Sequence, residues 1–401
     1  MPLSNALASS LRRQPGARVH VLGLGSIGTF AAHALAEIPA PLRPASVTLL
    51  LHRASLVEPL LAGGRAISLQ TRHGSLVRHA GYRFEMLDGA NRWLRDPLDS
   101  APGLADEAIQ NLVVSVKATQ TVAALRPLRH RLTWASNILF LQNGSGMLDD
   151  VNRELFANEL ERPNYIVGVV SHGVTLRSPF DIVHTGSGAT WLGPVPSPSL
   201  PSSPSSSRRS SYLVDALPLA PRLKATSLPY RDVFQAQLEK LALNAFCNPL
   251  CALANAKNRY LCSIPHTKRA LLSEISAVAR ALPELRHVPG VVSRFSLARL
   301  EQTVDAIVGQ TLETTCSMVV DLRRGRRTEI DYINGYWTRR GREVGVPTPL
   351  NDALVEQIRA RQRLAALDLS DLAVAQATTG NHGFIPELPS AATSFAVANG
   401  S

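Results

Sequence analysis

The sequence predicts an α/β protein, a Rossmann-type N-terminal domain joined to an all-α C-terminal one, and three observations carry that prediction. A short apolar strand, Val19-His-Val-Leu22, runs straight into Gly23-Leu-Gly25-Ser-Ile-Gly28 and then into a helix-like stretch ending at Glu37. Apolar strands and polar turns go on alternating as far as Trp191. After Pro229 the pattern turns helical, over Arg231–Asn255, Lys268–Leu282, Arg299–Cys316, Tyr332–Val344 and Asn351–Leu367. The expected division is therefore residues 17–228, residues 229–370, and a loose tail over 371–401. A Pro/Ser tract at 194–211 reads as a disordered insertion, because it holds too little apolar surface to order itself.

At the N-terminus, residues 1–16 contain Ser, Ala, Leu and Arg, and no acid precedes Glu37. That composition suits a mitochondrial presequence or a frayed cytosolic tail equally well, so the expected compartment is the cytoplasm or the mitochondrial matrix. Strand, glycine loop and helix then follow in the order of a dinucleotide fingerprint. Gly23 would permit the tight turn, Gly25 would let the backbone approach a pyrophosphate, and Gly28 would pack helix on strand. Leu24, Ser26 and Ile27 complete the loop, and the phosphates would rest at the helix N-terminus. A second strand, Ser46–Leu51, ends at His52-Arg53, where an NAD site would carry Asp or Glu. A guanidinium suits a 2′-phosphate in charge and geometry, so Arg53 favours NADPH.

Further strands are expected at Ala66–Leu69, Leu112–Val116 and Ile138–Leu141, then at Ile166–Val170 and around Thr175 to Trp191. Two of them end in polar turns, Lys117-Ala-Thr-Gln120 and Gln142-Asn-Gly-Ser-Gly146. In a doubly wound sheet the carboxyl ends of the strands form the ligand crevice, which these turns would line.

The helical half begins with Glu239-Lys-Leu-Ala-Leu-Asn-Ala-Phe-Cys-Asn-Pro-Leu. Lys240, Asn244 and Asn248 recur every four residues in an otherwise apolar run, which gives a helix one polar stripe amid buried faces. An ammonium and two amides cannot be buried without partners, whether protein groups or a ligand. Pro249 would free the carbonyl four residues back and bend the axis.

Composition narrows the function classes. The 45% apolar fraction is that of a globular chain, and no run reaches the roughly 18 to 20 apolar residues that span a bilayer. The net charge of +11 comes from thinly spread basic residues, and the one cluster, Arg323 to Arg327, carries no aromatic platform and runs into Thr-Glu-Ile-Asp. A nucleic-acid partner is not expected. The four cysteines, Cys247, Cys251, Cys262 and Cys316, lack a secretory pairing pattern, and Cys247 and Cys251 lack a second ligand pair, so no metal is expected either.

Taken together, Gly23-x-Gly25-x-x-Gly28, Val116-Lys-Ala-Thr-Gln120, Gln142-Asn-Gly144, Lys240-Leu-x-x-Asn244-x-x-x-Asn248-Pro-Leu and Ser317-Met-x-x-Asp321-x-x-x-Gly325-Arg-x-Thr-Glu-Ile-Asp-x-Ile-Asn-Gly335 resemble the ketopantoate reductase family over roughly 18–367. The resemblance implies NADPH-dependent reduction of 2-dehydropantoate to pantoate, on the route to pantothenate and coenzyme A. It implies Lys240 as proton donor and Glu329 as the acid that orients it and touches substrate. It further implies Asn244, Asn248 and Asn258 on the substrate's oxygens, Ser317 on its carboxylate, and Lys117 and Asn143 facing the cofactor. The chain departs from the family in its Ser/Pro tract, its long tail, and Thr314, where some relatives carry Asn. The residues also suit another NADPH-dependent 2-oxo or 3-hydroxy acid dehydrogenase, or a non-catalytic nicotinamide-binding regulator. The expected partner is a small 2-oxo acid, with no membrane, and the assembly a monomer or homodimer.

Overall fold

The computed structural model describes residues 16–40, 42–98, 102–196 and 211–379. The chain begins with β1 (Arg18–Leu22), α1 (Ser26–Ala36), β2 (Ser46–Leu51), α2 (Val57–Ala62), β3 (Ala66–Thr71), β4 (Leu76–Ala80), β5 (Arg83–Leu87) and β6 (Trp93–Arg95). It continues through β7 (Asn111–Val114), α3 (Thr121–Leu125), β8 (Asn137–Phe140), α4 (Met147–Glu154), β9 (Asn164–Val170), β10 (Gly173–Ser178), β11 (Asp181–Gly186) and β12 (Thr190–Pro194). Past the Pro/Ser tract come α5 (Tyr212–Ala216) and β13 (Ala225–Ser227).

Nine of these strands form one sheet in the order β13-β12-β9-β8-β7-β1-β2-β5-β6. From β9 to β5 every pairing is parallel, so β1, β2, β5, β7, β8 and β9 all end on one edge. Parallel strands need both faces covered, and β1, β2, β7 and β8 are accordingly near-continuous Val, Leu, Ile and Phe. Leu35 and Phe30 of α1 are fully buried in the core on one face, and Leu128, Val151 and Phe156 fill the other.

The other four strands form a separate sheet, ordered β10-β11-β3-β4, against which α1 packs. Sequence reading places a strand at Ala66–Leu69, but as part of a single doubly wound sheet. It misses β4, in which Leu76, Arg78 and Ala80 are exposed, so that no apolar face marks the strand.

The helical half comprises α6 (Tyr230–Ala254), α7 (Pro265–Ala281), α8 (Val291–Arg294), α9 (Leu297–Gln310), α10 (Ser317–Arg323), α11 (Asn334–Val344) and α12 (Pro349–Thr379). Its core joins Leu238, Leu241 and Phe246 of α6 to Ile275, Val304, Trp337 and Ile358. The expected helix over Arg299–Cys316 stops at Gln310. Beyond it the Leu312 and Thr314 carbonyls accept the Arg259 and Asn258 amides, so this stretch is bonded sideways and not along a helix axis. At the other end α12 runs on to Thr379, into the stretch read as a tail. Residues 197–210 and 380–401, which hold most of the expected insertion and the rest of that tail, lie outside the described residues. Among the described residues no helix is long and apolar enough to cross a membrane.

Candidate functional site

The glycine turn sits at the carboxyl end of β1. Gly23 has φ +95°, and a Cβ there would lie 2.5 Å from the Val116 nitrogen, so both conformation and space require glycine. A Cβ on Gly28 would meet the Gly23 carbonyl oxygen at 1.8 Å and Ser115 Oγ at 2.2 Å, the close helix-on-strand approach expected of the third glycine. Around Gly25, by contrast, a Cβ would touch nothing within 4 Å, and no side chain caps the α1 N-terminus. An open cradle beside uncapped helix amides fits a pyrophosphate. Leu24 is buried behind the turn, and Ser26 and Ile27 open the helix. Arg53 is exposed just past the end of β2, which neighbours β1. Ser115, which the sequence reading passed over, donates from Oγ to the Gly23 carbonyl at 2.6 Å and ties the turn to the end of β7.

The 25-residue helix α6 brings Lys240 to the same sheet edge. Its ammonium donates to Asn143 Oδ1 at 2.9 Å, in the turn after β8, and to the Val170 carbonyl at 2.5 Å, the last residue of β9. From β1 to β8 is two strand spacings, or about 10 Å, so amine and glycine turn share one edge of the sheet. Desolvation lowers the Lys240 pKa to about 8, and the charge of Glu329 offsets only part of that fall. Asn244, one turn on, lines the same small cavity with Asn143, Gly168 and Gln237. Pro249, inside α6, frees the Ala245 carbonyl, and the buried Asn334 takes it up from Nδ2 at 2.9 Å.

Lys117 and Glu329 meet across the two halves of the chain. Lys117 Nζ donates to Asp321 Oδ2 at 2.6 Å and lies 3.6 Å from Glu329 Oε2, while Glu329 Oε1 accepts the Ala118 N–H at 2.9 Å. Both carboxylates are almost fully buried, Asp321 4% and Glu329 5% exposed. Desolvation pulls the Lys117 ammonium down, but the two carboxylates more than offset it and hold its pKa above the ordinary value. Burial raises Glu329, with Lys117 opposing. Glu329 thus acts on Lys240 through its charge, and its own bonds go to Lys117 and Ala118. The turn after β8 is pinned to the same segment, since Ser145 N–H donates to the Tyr332 carbonyl at 2.8 Å and a Cβ on Gly144 would lie 2.8 Å from that oxygen.

The remaining polar residues divide. Asn248 is buried within α6, and its carbonyl accepts from Cys316 Sγ at 3.7 Å. Asn258 is also buried, with Nδ2 donating to Thr311 Oγ1 at 3.0 Å and Oδ1 facing Cys251 Sγ at 3.7 Å, so its amide is engaged by protein groups. Ser317 is exposed at the first turn of α10. Asp321 and the Val170 carbonyl were missed as site groups; Asp321 stands inside the quoted motif, whereas no sequence signal marks a backbone carbonyl.

The family model described as ketopantoate reductase PanE/ApbA matches residues 19–197, and its C-terminal counterpart matches 232–362. A 2-dehydropantoate 2-reductase of Yersinia pestis is 31% identical over 255 residues, covering 63% of this chain and 74% of the relative. A probable 2-dehydropantoate 2-reductase of Schizosaccharomyces pombe is 26% identical over 350 residues, 86% of this chain and 96% of its own. Among solved structures, a D-mandelate dehydrogenase with NADH and anilino(oxo)acetate superposes with a TM-score of 0.64 at 21% identity, over 87% of this chain and 99% of that one.

Proposed function

The chain belongs to the ketopantoate reductase family, and from that premise we propose that it reduces 2-dehydropantoate to pantoate with NADPH, on the way to pantothenate. The observation that carries the reading is the Lys240 ammonium, held by Asn143 and Val170 at the carboxyl edge of the sheet and made a stronger acid by burial. Bound NADPH would supply the hydride, with Gly23 to Gly28, Arg53 and the turns carrying Lys117 and Asn143 forming its cradle. Addition to a ketone builds negative charge on oxygen, and a proton donor placed there lowers the barrier. Lys240 fills that role, and its pKa near 8 keeps it protonated at neutral pH yet willing to release the proton. Asn244 shares the cavity and orients the substrate's oxygens; Asn248, Asn258 and Ser317, outside that cavity's lining, are assigned to the substrate by the family resemblance alone. Glu329, buried and paired with Lys117, keeps a negative charge near the amine.

The direct test follows NADPH oxidation by absorbance with 2-dehydropantoate and a panel of other 2-oxo acids. Turnover confined to a different oxo acid would replace the substrate, and NADPH binding without turnover on any would leave a regulator. Two further results are expected. Because the protonated amine is the donor, kcat/KM for reduction should be flat below about pH 8 and fall about tenfold per unit above it. Lys240→Arg, which holds its proton far longer, should move that limb upward, and an unmoved limb would take the titration away from Lys240. Arg53→Asp should weaken NADPH by about tenfold or more while sparing NADH, since a charge-assisted bond to the 2′-phosphate is exchanged for repulsion. Equal loss of both cofactors, measured by fluorescence titration, would remove Arg53 from 2′-phosphate recognition.

A further inference from the structure

Two turns along α1 from the glycine turn, His33 and Glu37 stand on one helix face at i, i+4, and β4 of the small sheet lays His79 against them. His33 Nδ1 lies 3.7 Å and His79 Nε2 3.9 Å from Glu37 Oε1, and the donor atoms of the three residues all fall within 4.8 Å of one another. We propose that His33, Glu37 and His79 form a binding site for one divalent transition-metal ion of the zinc class, separate from the reductase site.

The first argument is the hydrogen-bond pattern. His33 Nε2 faces the Val77 carbonyl at 3.3 Å, and a carbonyl can only accept, so the ring proton sits on Nε2 and Nδ1 presents a lone pair. That lone pair points at a carboxylate, two acceptors face to face, in a residue with no solvent exposure. His33 Nδ1, Glu37 Oε2 and His79 Nε2 are each buried without a hydrogen-bond partner among the described residues. Two acceptors and a third converging ring nitrogen left unpaired inside a protein are costly, and one cation between them satisfies all three with the His79 proton on Nδ1.

The second argument is geometric. Zinc bound tetrahedrally at about 2.0–2.2 Å sets its ligand atoms about 3.4 Å apart, so the 3.7 and 3.9 Å separations close by small side-chain rotations. The Val77 carbonyl is the kind of outer partner that fixes the tautomer and orientation of a ligating histidine. Arg222 donates to Glu37 Oε1, which keeps a second lone pair for the metal, and Oε2, without a hydrogen-bond partner among the described residues, can share in ligation. The set also lies at the C-terminal end of α1, where the helix dipole favours positive charge. Two histidines and one carboxylate from protein leave a fourth position for water, and the partial exposure of His79 gives an entry path. The expectation of no metal weighed only Cys247 and Cys251; in the sequence nothing joins Leu76–Ala80 to α1, so this set carries no signal there.

The test uses the full chain, purified, treated with chelator and dialysed, then titrated with zinc and separately with cobalt. The proposal expects one tight equivalent of zinc per chain and a cobalt spectrum with d–d bands and no thiolate charge-transfer band. In His79→Gln, a variant at a partly exposed position outside the catalytic machinery, affinity should fall at least a hundredfold. Turnover of NADPH should stay at the wild-type rate, which also shows that the variant is folded. Zinc should raise the thermal midpoint of the wild type and not that of the variant. No stoichiometric binding, binding unchanged in His79→Gln, or a thiolate band pointing to Cys247, Cys251 and Cys316 would each overturn it.

Discussion

Lys240→Ala is expected to lower kcat by between about a hundredfold and ten-thousandfold, the usual contribution of a positioned general acid. NADPH affinity should stay within a few-fold of wild type, because the glycine turn, Arg53 and the α1 N-terminus are untouched. The change leaves Asn143 Oδ1 and the Val170 carbonyl without their shared donor, but Asn143 and Lys240 both line a cavity, and the space that the lysine vacates opens water access to the two acceptors. The fold should therefore survive, and steady-state rates with a parallel NADPH titration separate chemistry from binding. A rate within threefold of wild type would remove Lys240 from the proton transfer. Loss of both rate and NADPH affinity would mean that the amine mainly shapes the turn after β8.

Lys117→Ala is expected to cost about 3 kcal/mol in stability, because it strands two buried carboxylates that share one ammonium. The cost shows as a lower urea midpoint, and the double variant Lys117→Ala, Asp321→Asn should recover part of it, since the two changes are not independent. The sign with pH follows from the raised pKa of Lys117. Its stabilisation is fully present below the ordinary lysine value of about 10.4 and is lost as pH climbs through the higher folded value. A stability lowered by less than about 0.5 kcal/mol, with no recovery in the double variant, would show that water or neighbouring arginines neutralise the acids as well as Lys117 does.

What could be read from the sequence was whatever is encoded locally. The glycine turn is a six-residue pattern whose strain and close approaches involve its own neighbours, and each glycine stands where its spacing puts it. The stripe Lys240, Asn244, Asn248 was legible because period four in an apolar run has a strong helical meaning, and Pro249 correctly pointed to an unpaired carbonyl. That Asn334 fills it could not be read, since the two lie 89 residues apart. The Lys117–Asp321 pair, 204 residues apart, was hidden for the same reason. Glu329 was expected beside Lys240, yet two buried acids recruit the nearest cation, and that is Lys117. Strand β4 escaped because its exposed residues include Leu76 and Arg78, so neither alternation nor an apolar run announces it.

The small sheet has a bearing on how the molecule is made. Its two hairpin pieces, Ala66–Ala80 and Gly173–Gly186, are born about a hundred residues apart, and β3 acquires its parallel neighbour β11 only when the second has left the ribosome. Until then the nascent chain must carry β3 with one side unpaired, beside an α1 whose flank toward β10 and β11 is still uncovered. Parallel pairing across so long a loop is slow to find, and such uncovered intermediates invite aggregation. Holdase chaperones in the synthesising cell would find their binding stretch there, in the first half of translation, well before any residue of the helical half exists.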